Sequence, residues 1–556
     1  MNKRRLFFLW IGVISFLAAA FPAEQNNYAF MPSGVSLRGA IITQSKTFKE
    51  SVAALPGKTL HLEKTQGHIT IATWNRNEIL IEGSLEVECS DPVFLRQFLE
   101  EWKLIVEPTS DGNRVRLLPH GERDRDFSKI LRDFFRGRSF SFSYIARFDI
   151  KTPASQSLDI ENSFGDISVT AVSGKLRIRN ESGKVRLDGC SGELDLRNSF
   201  AAATVTDFKG PVKVDNESGD VELRNIDGNA DIQNSFKSVK IAGIGGALTV
   251  KSESSIVTGS DIAGDARVES SFKEISVKSV GGRLEIRGEG SAVTVDDVKK
   301  DVVIESSFKP VKATNVKGRL KVTSESAAVT AEEIGLDAEI KSSFNAISAA
   351  RVHGSLSIDG ESSTVTIRDI DGNATILSSF KEVNALNIGG ALDVRSESAK
   401  VTAADVKKAV SVVTSFQPID VRRVGGEAKL SGQSSSVLAE DVAGDIQVRS
   451  SFKYVILRRT SGSIVVRGES SSVEVSQIVS MPRGGLIDIA TTFKPIIVSL
   501  PASADVTISA RTQFGKIVSD FPVFLRGTEP QVKVESGKGA TVVRLETSSN
   551  ITIRKE

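Results

Sequence analysis

Residues 266–283 read ARVESSFKEISVKSVGGR, and residues 284–301 read LEIRGEGSAVTVDDVKKD. Laid over one another, the two stretches repeat the same pattern of apolar positions. Ala266, Val268, Ser270 and Phe272 alternate with polar neighbours, followed by Ile275 and Val277, then Val280. Leu284, Ile286, Gly288 and Gly290, then Val293 and Val295, then Val298 follow in step. A period of two marks strands, and an extra residue between runs marks a bend. Gly281-Gly282 supplies the turn, as Gly372-Asn373 and Gly444-Asp445 do further along.

Outward from this pair the pattern persists. A Ser-Phe dipeptide recurs every 36 residues, with its ring at Phe164, Phe200, Phe236, Phe272, Phe308, Phe344, Phe380, Phe416 and Phe452. Midway between lie Ser182, Ser218, Ser254, Gly290, Ser326, Ser362, Ser398, Ser434 and Ser470, nearly all preceded by Glu, with Gln433 the exception. The unit is therefore 18 residues long and comes in two alternating versions. Units this short cannot bury a face alone and must stack. Phe493 arrives 41 residues after Phe452, so about five residues are inserted around Met481 to Gly485.

Asn162, Asn180, Asn198, Asn216 and Asn234 share one inward-reading position. Stacked amides hydrogen-bond along a column and satisfy groups that are costly to bury singly. Ser252, Ser270, Ser306, Ser324 and Ser342 continue the column, with Gly288 and Gly360 interspersed. The expected fold is all-β: a parallel β-solenoid, or β-helix, of 18-residue coils paired into 36-residue repeats, with β caps at both ends. A β-propeller needs about 40–45 residues per four-stranded blade and fits the half-repeat poorly. At ~4.8 Å between strands, eighteen or so coils give a rod of about 90 Å. The phenylalanine series is expected to point inward, each ring between small residues of the neighbouring coils. On that expectation Phe416→Ala costs roughly 3–5 kcal/mol. The competing arrangement is an exposed aromatic stripe for ligand stacking.

The division expected along the chain is a signal peptide (1–20), a flexible lead (21–44), an N-terminal β cap with short helices (45–150), solenoid repeats (151–500) and a C-terminal β cap (501–556). Lys3, Arg4 and Arg5, the apolar run Leu6 to Leu17 and Ala18-Ala19-Ala20 form the signal pattern. Export follows, to the periplasm, the outer envelope or the extracellular space. A short helix is expected over Asp91 to Leu104, with Asp91 as N-cap and Pro92 at its first position. A second, over 126–138, carries Phe127, Ile130, Leu131, Phe134 and Phe135 on one face among basic residues. It packs over a sheet edge or makes a weak contact with a membrane surface.

Composition narrows the chemistry. With 71 Lys and Arg against 69 Asp and Glu, the net charge of +2 gives no pull towards nucleic acid. The two cysteines, Cys89 and Cys190, are too few for a disulfide scaffold. His61, His68, His120 and His353 fall in no metal-binding spacing, and no nucleophile elbow or phosphate loop is present. Asp261 and Asp265, Asp297 and Asp301, Asp369 and Asp371, and Asp441 and Asp445 recur near turns. Their regularity suits solvated turns better than one catalytic or calcium site. No catalytic residue, metal or cofactor is assigned. Three Trp and three Tyr are few for stacking on glycans. Lys237, Lys273, Lys309, Lys381 and Lys453 are expected beside the Glu residues of neighbouring coils.

Gly57-Lys58-Thr59-Leu60-His61-Leu62-Glu63, then Gly67-His68-Ile69-Thr70-Ile71 with Trp74, the repeat Ser182-Gly183-Lys184-Val185-Arg186-Leu187 and the closing Gly515-Lys516-Ile517 resemble the adhesin-type β-strand-repeat family of bacterial exported proteins. The resemblance implies a β-solenoid in the cell envelope, like an autotransporter-adhesin head, and carries no catalytic residues with it. The function expected is a non-enzymatic envelope rod, adhesin-like or structural, meeting a surface protein or glycan. A periplasmic sensing or structural module is the alternative, and a polysaccharide-active β-helix enzyme stands third.

Overall fold

The computed structural model describes residues 41–119, 141–481, 484–526, 532–536 and 539–556, position 56 excepted. The signal segment, most of the lead and the basic amphipathic segment 126–138 lie outside these residues. The protein is 65% strand and 2% helix, and its parallel coils stack into a β-solenoid of about 18 turns.

Each coil has two short strands, as in Ala266–Ser271 and Ile275–Val280. Both pair in parallel with the strands one coil on, Ala266 with Leu284 and Ile275 with Val293. Inward columns of Val, Ile, Leu and Ala are almost wholly buried along the rod. Each such aliphatic side chain contributes about 1.5–3 kcal/mol relative to exposure. The bend inside the second strand has a fixed cause. Asp261, Ser279, Asp297, Asn315, Glu333, Arg351, Asp369, Asn387, Asp405, Arg423, Asp441 and Arg459 recur in left-handed backbone with φ of 53–59°, Arg459 being the exception at 50°. Asp and Asn tolerate this region best among residues with side chains, and they hold most of the positions.

The register holds until the inserted loop. There Ile464 pairs with Ile487 and Val473 with Ile496, so the extra residues fall between the strands Ser472–Ser476 and Leu486–Ala490.

The ends depart from the expected division. Strand Ile42–Ala53 starts within the segment read as a lead, because its first residues already pair antiparallel with Glu78–Cys89. Helix Pro92–Glu101 is capped by Asp91, whose Oδ1 accepts from the N–H groups of Val93 and Phe94 at 2.9 and 3.1 Å. The chain turns to strand at Trp102, short of Leu104. Phe94, Leu95, Phe98 and Leu99 are buried as their spacing required. Phe98 meets Phe142 edge-on at 4.9 Å. The Lys46 ammonium donates to the Leu99 and Trp102 carbonyls at 2.6 and 2.7 Å, covering acceptors that a helix end leaves open.

Strands Thr59–Thr65 and His68–Thr73, expected within the cap, are a solenoid coil. Leu60 pairs with Leu158 and Ile69 with Ile167. On their far side the same strands pair with Gly112–Pro119 and Phe142–Thr152, which antiparallel strands cover in turn, Trp102–Thr109 on the first and Glu78–Cys89 then Ile42–Ala53 on the second. The C-terminus repeats the device. Thr541–Thr547 and Ile551–Lys555 pair with Leu486–Ala490 and Ile496–Leu500 on one side, and with Val506–Thr512 and Ile517–Ser519 on the other. At both ends a coil nearer the terminus is inserted between the rod and the next layer out. That next layer comes from the chain between the inserted coil and the rod, and antiparallel strands continue beyond it.

A candidate functional site along one corner

The corner between the two strands of each coil is where alternate coils differ. In one version a small residue three positions after the inward Asn, Ser or Gly fills the corner from within. Ser255, Ser291, Ala327, Ser363, Ala399, Ser435 and Ser471 all have no exposed surface. Gly432 shows how tight this is, since a Cβ there would lie 2.6 Å from the Ser435 Cβ. The other version carries the phenylalanine, and here the expectation of inward rings fails. Phe164, Phe200, Phe236, Phe272, Phe308, Phe344, Phe380, Phe416 and Phe452 are 48–69% exposed, and Phe493 continues the line at 72%.

The physical reason lies in the backbone. The alternation Ala266-Val268-Ser270 ends at the bend, and the next inward residue is Ile275. The bend turns every ring out, and Phe272, Phe344, Phe416 and Phe452 also sit in left-handed backbone, at φ of 65, 65, 63 and 66°. That conformation is strained for a bulky side chain. The corner has no interior space left for a ring. Instead each ring lies over the small corner residue of the adjoining coil. Phe164 is level with Ser182 and Phe236 with Ser254, and a Cβ on Gly290 would touch Phe272 Cδ1 at 3.4 Å. Twice the ~4.8 Å coil spacing puts successive rings about 9.6 Å apart in one straight row.

Charges flank the row. Lys237, Lys273, Lys309, Lys381 and Lys453 follow their rings into the second strand, all exposed. Glu181, Glu217, Glu253, Glu289, Glu325, Glu361, Glu397 and Glu469 end the first strand of the other coils, also exposed. They lie on opposite shoulders of the corner. Among the described residues no ion pair joins these lysines to these glutamates, contrary to the expected side-by-side pairing.

The other residues singled out in the sequence are structural. The five asparagines are buried. Asn162 Nδ2 donates to Asn180 Oδ1 at 2.9 Å, Asn180 to Asn198 at 3.1 Å and Asn216 to Asn234 at 3.2 Å. Asn234 then hands the column on, donating to Ser255 Oγ at 3.0 Å. The Oδ1 of Asn216 has no partner, so the chain of amides is broken between Asn198 and Asn216. Asp265, Asp301 and Asp445 accept from the backbone N–H of Arg283, Arg319 and Ser463 at 2.8 Å, tying turn to turn. On the left-handed column Asp405 pairs with Arg423 and Asp441 with Arg459, at 2.5 and 2.6 Å. These hydrogen bonds hold both carboxyls below the usual carboxylate range. His61 lies 3.1 Å from Asp111 and 3.5 Å from Asp159, whereas His68 accepts from the Asp166 N–H. No group of three or more His, Cys, Asp or Glu among the described residues is placed to hold a metal ion. Cys89 and Cys190 are both buried and unbridged.

No family model matches the chain, and no curated protein or solved structure does so either.

Proposed function

We propose that the protein is an exported, non-enzymatic rod of the cell envelope, adhesin-like or structural, that makes its contacts along the phenylalanine corner. The observation that carries this reading is the row of exposed rings itself. An aligned row of large exposed apolar side chains marks an interaction site. A solenoid has no need of these rings, because Ser and Ala of the alternate coils already fill the corner from within. Repetition at a constant step suits an extended partner, engaged through many equal contacts.

Three of the turn acids, Asp265, Asp301 and Asp445, each accept from a backbone N–H of the next coil, a structural use. That supports binding over polysaccharide chemistry. The basic pattern at Lys3 to Arg5 and the apolar run behind it support export.

Two measurements test the reading. Protease shaving of intact cells should release fragments of 150–500 if the rod is outside, whereas protection until the envelope is breached places it in the periplasm. A photo-reactive phenylalanine analogue at Phe308 or Phe380 should then give an adduct in the native envelope. Adducts from other faces of the rod with none from the corner would sink the assignment.

A further inference from the structure

We propose that the phenylalanine corner is a seam between two parallel copies of this chain, offset by one coil. The inference rests on the corner being the contact surface and names what covers it.

Size comes first. Ten rings exposed by roughly half to three-quarters offer on the order of 1,000 Å² from a single partner. A standard stable interface needs about 800 Å² per partner.

Shape comes second. The corner alternates a projecting ring with the small residue of the next coil, as with Phe236 and Ser254 or Phe272 and Gly290. A surface with knobs and gaps of equal step is complementary to itself after a shift of one coil. Each ring of one copy then enters the gap between two rings of the other.

Charge chooses the direction. Lysines follow the rings on one shoulder, and glutamates precede the gaps on the other. Rotating the second copy about an axis parallel to the rod sets its glutamate shoulder against the first copy's lysines. Antiparallel rods would face lysine with lysine. The same shift of one coil that seats the rings also brings Lys273-type and Glu289-type residues of the two copies to one level. Opposite charges across an interface set register and orientation in this way.

The full chain should therefore run as a dimer in sedimentation equilibrium. Phe272→Ser, Phe308→Ser, Phe344→Ser and Phe380→Ser combined should keep the circular dichroism spectrum and melting curve, and weaken association by about 100-fold or more. Reversal of Lys273, Lys309 and Lys381 to Glu should weaken it with the rings intact. A nitroxide on Glu50→Cys at one end, with both native thiols buried, should give a short label-to-label distance. A monomer at every concentration, a dimer indifferent to the ring substitutions, or end labels a rod length apart would each overturn the proposal. A monomer that still gives corner adducts in the envelope overturns the seam alone and leaves the corner to a partner of other chemistry.

Discussion

Phe416 stands 65% exposed in left-handed backbone. Phe416→Ala should therefore leave the thermal midpoint nearly unchanged, within about 0.5 kcal/mol, because an exposed side chain leaves no cavity behind. Phe416→Gly should even raise it slightly, since the left-handed conformation costs a side-chain-bearing residue about 1–2 kcal/mol and costs glycine almost nothing. A fall of 3–5 kcal/mol in denaturant melts of either variant would restore the inward packing that the sequence pattern suggested. Asn180 is the opposite case. It accepts from Asn162 and donates to Asn198 and to the Gly183 carbonyl. Asn180→Ala leaves several buried polar atoms without partners and should cost roughly 1–3 kcal/mol in the same melts. A short polar residue and a large apolar one thus exchange the roles their hydropathy assigns.

The coil as an element was readable from sequence, and its corner was not. Val and Ile spaced by two located the strands, and the Asn column set the register, because both depend on local alternation and constant length. Whether the ring two residues beyond Ser270 points in or out depends on where the inward alternation breaks at the bend, and hydropathy carries no record of that break. The repeating Asp and Asn at 261, 297, 315, 369 and 387 did carry a signal for the second bend, as residues suited to left-handed backbone. Along this column the paired acids give the rod a pH dependence of defined sign. Asp405 and Asp441 have depressed folded values through the hydrogen bonds from Arg423 and Arg459. Their contribution is fully present above the unfolded carboxyl value of about 4 and is lost as pH falls through the lower folded values. The side chains are half-exposed to solvent screening, so the effect should be small. Asp405→Asn with Asp441→Asn should lower stability slightly near neutrality and flatten the acid limb of a stability-against-pH curve, so that variant and parent converge at low pH. An unchanged acid limb would show the pairs to be idle in solution.

At the scale of the whole molecule, the two ends are built by the same manoeuvre. The sequence concealed it, because the coil at Thr59–Thr73 finds its neighbour 98 residues on, at Leu158. No fixed period links the two. The C-terminal strands are wedged between Leu486–Leu500 and Val506–Ser519. Removing residues 541–556 should therefore open the rod on both sides of the missing layer. Hydrogen exchange should rise sharply across 486–519 while the coils from 266 to 452 stay protected. Protection confined to its original level at 486–519 would mean that the outer layer can reseat directly on the rod. The wedge also orders events in time. Middle coils can settle one upon another as soon as each is made, but the layers at 486–500 and 506–519 wait for the strands at 541–555 to slide between them. A chain interrupted before residue 541 is left with an unfinished edge at 486–519 that a protease can recognise.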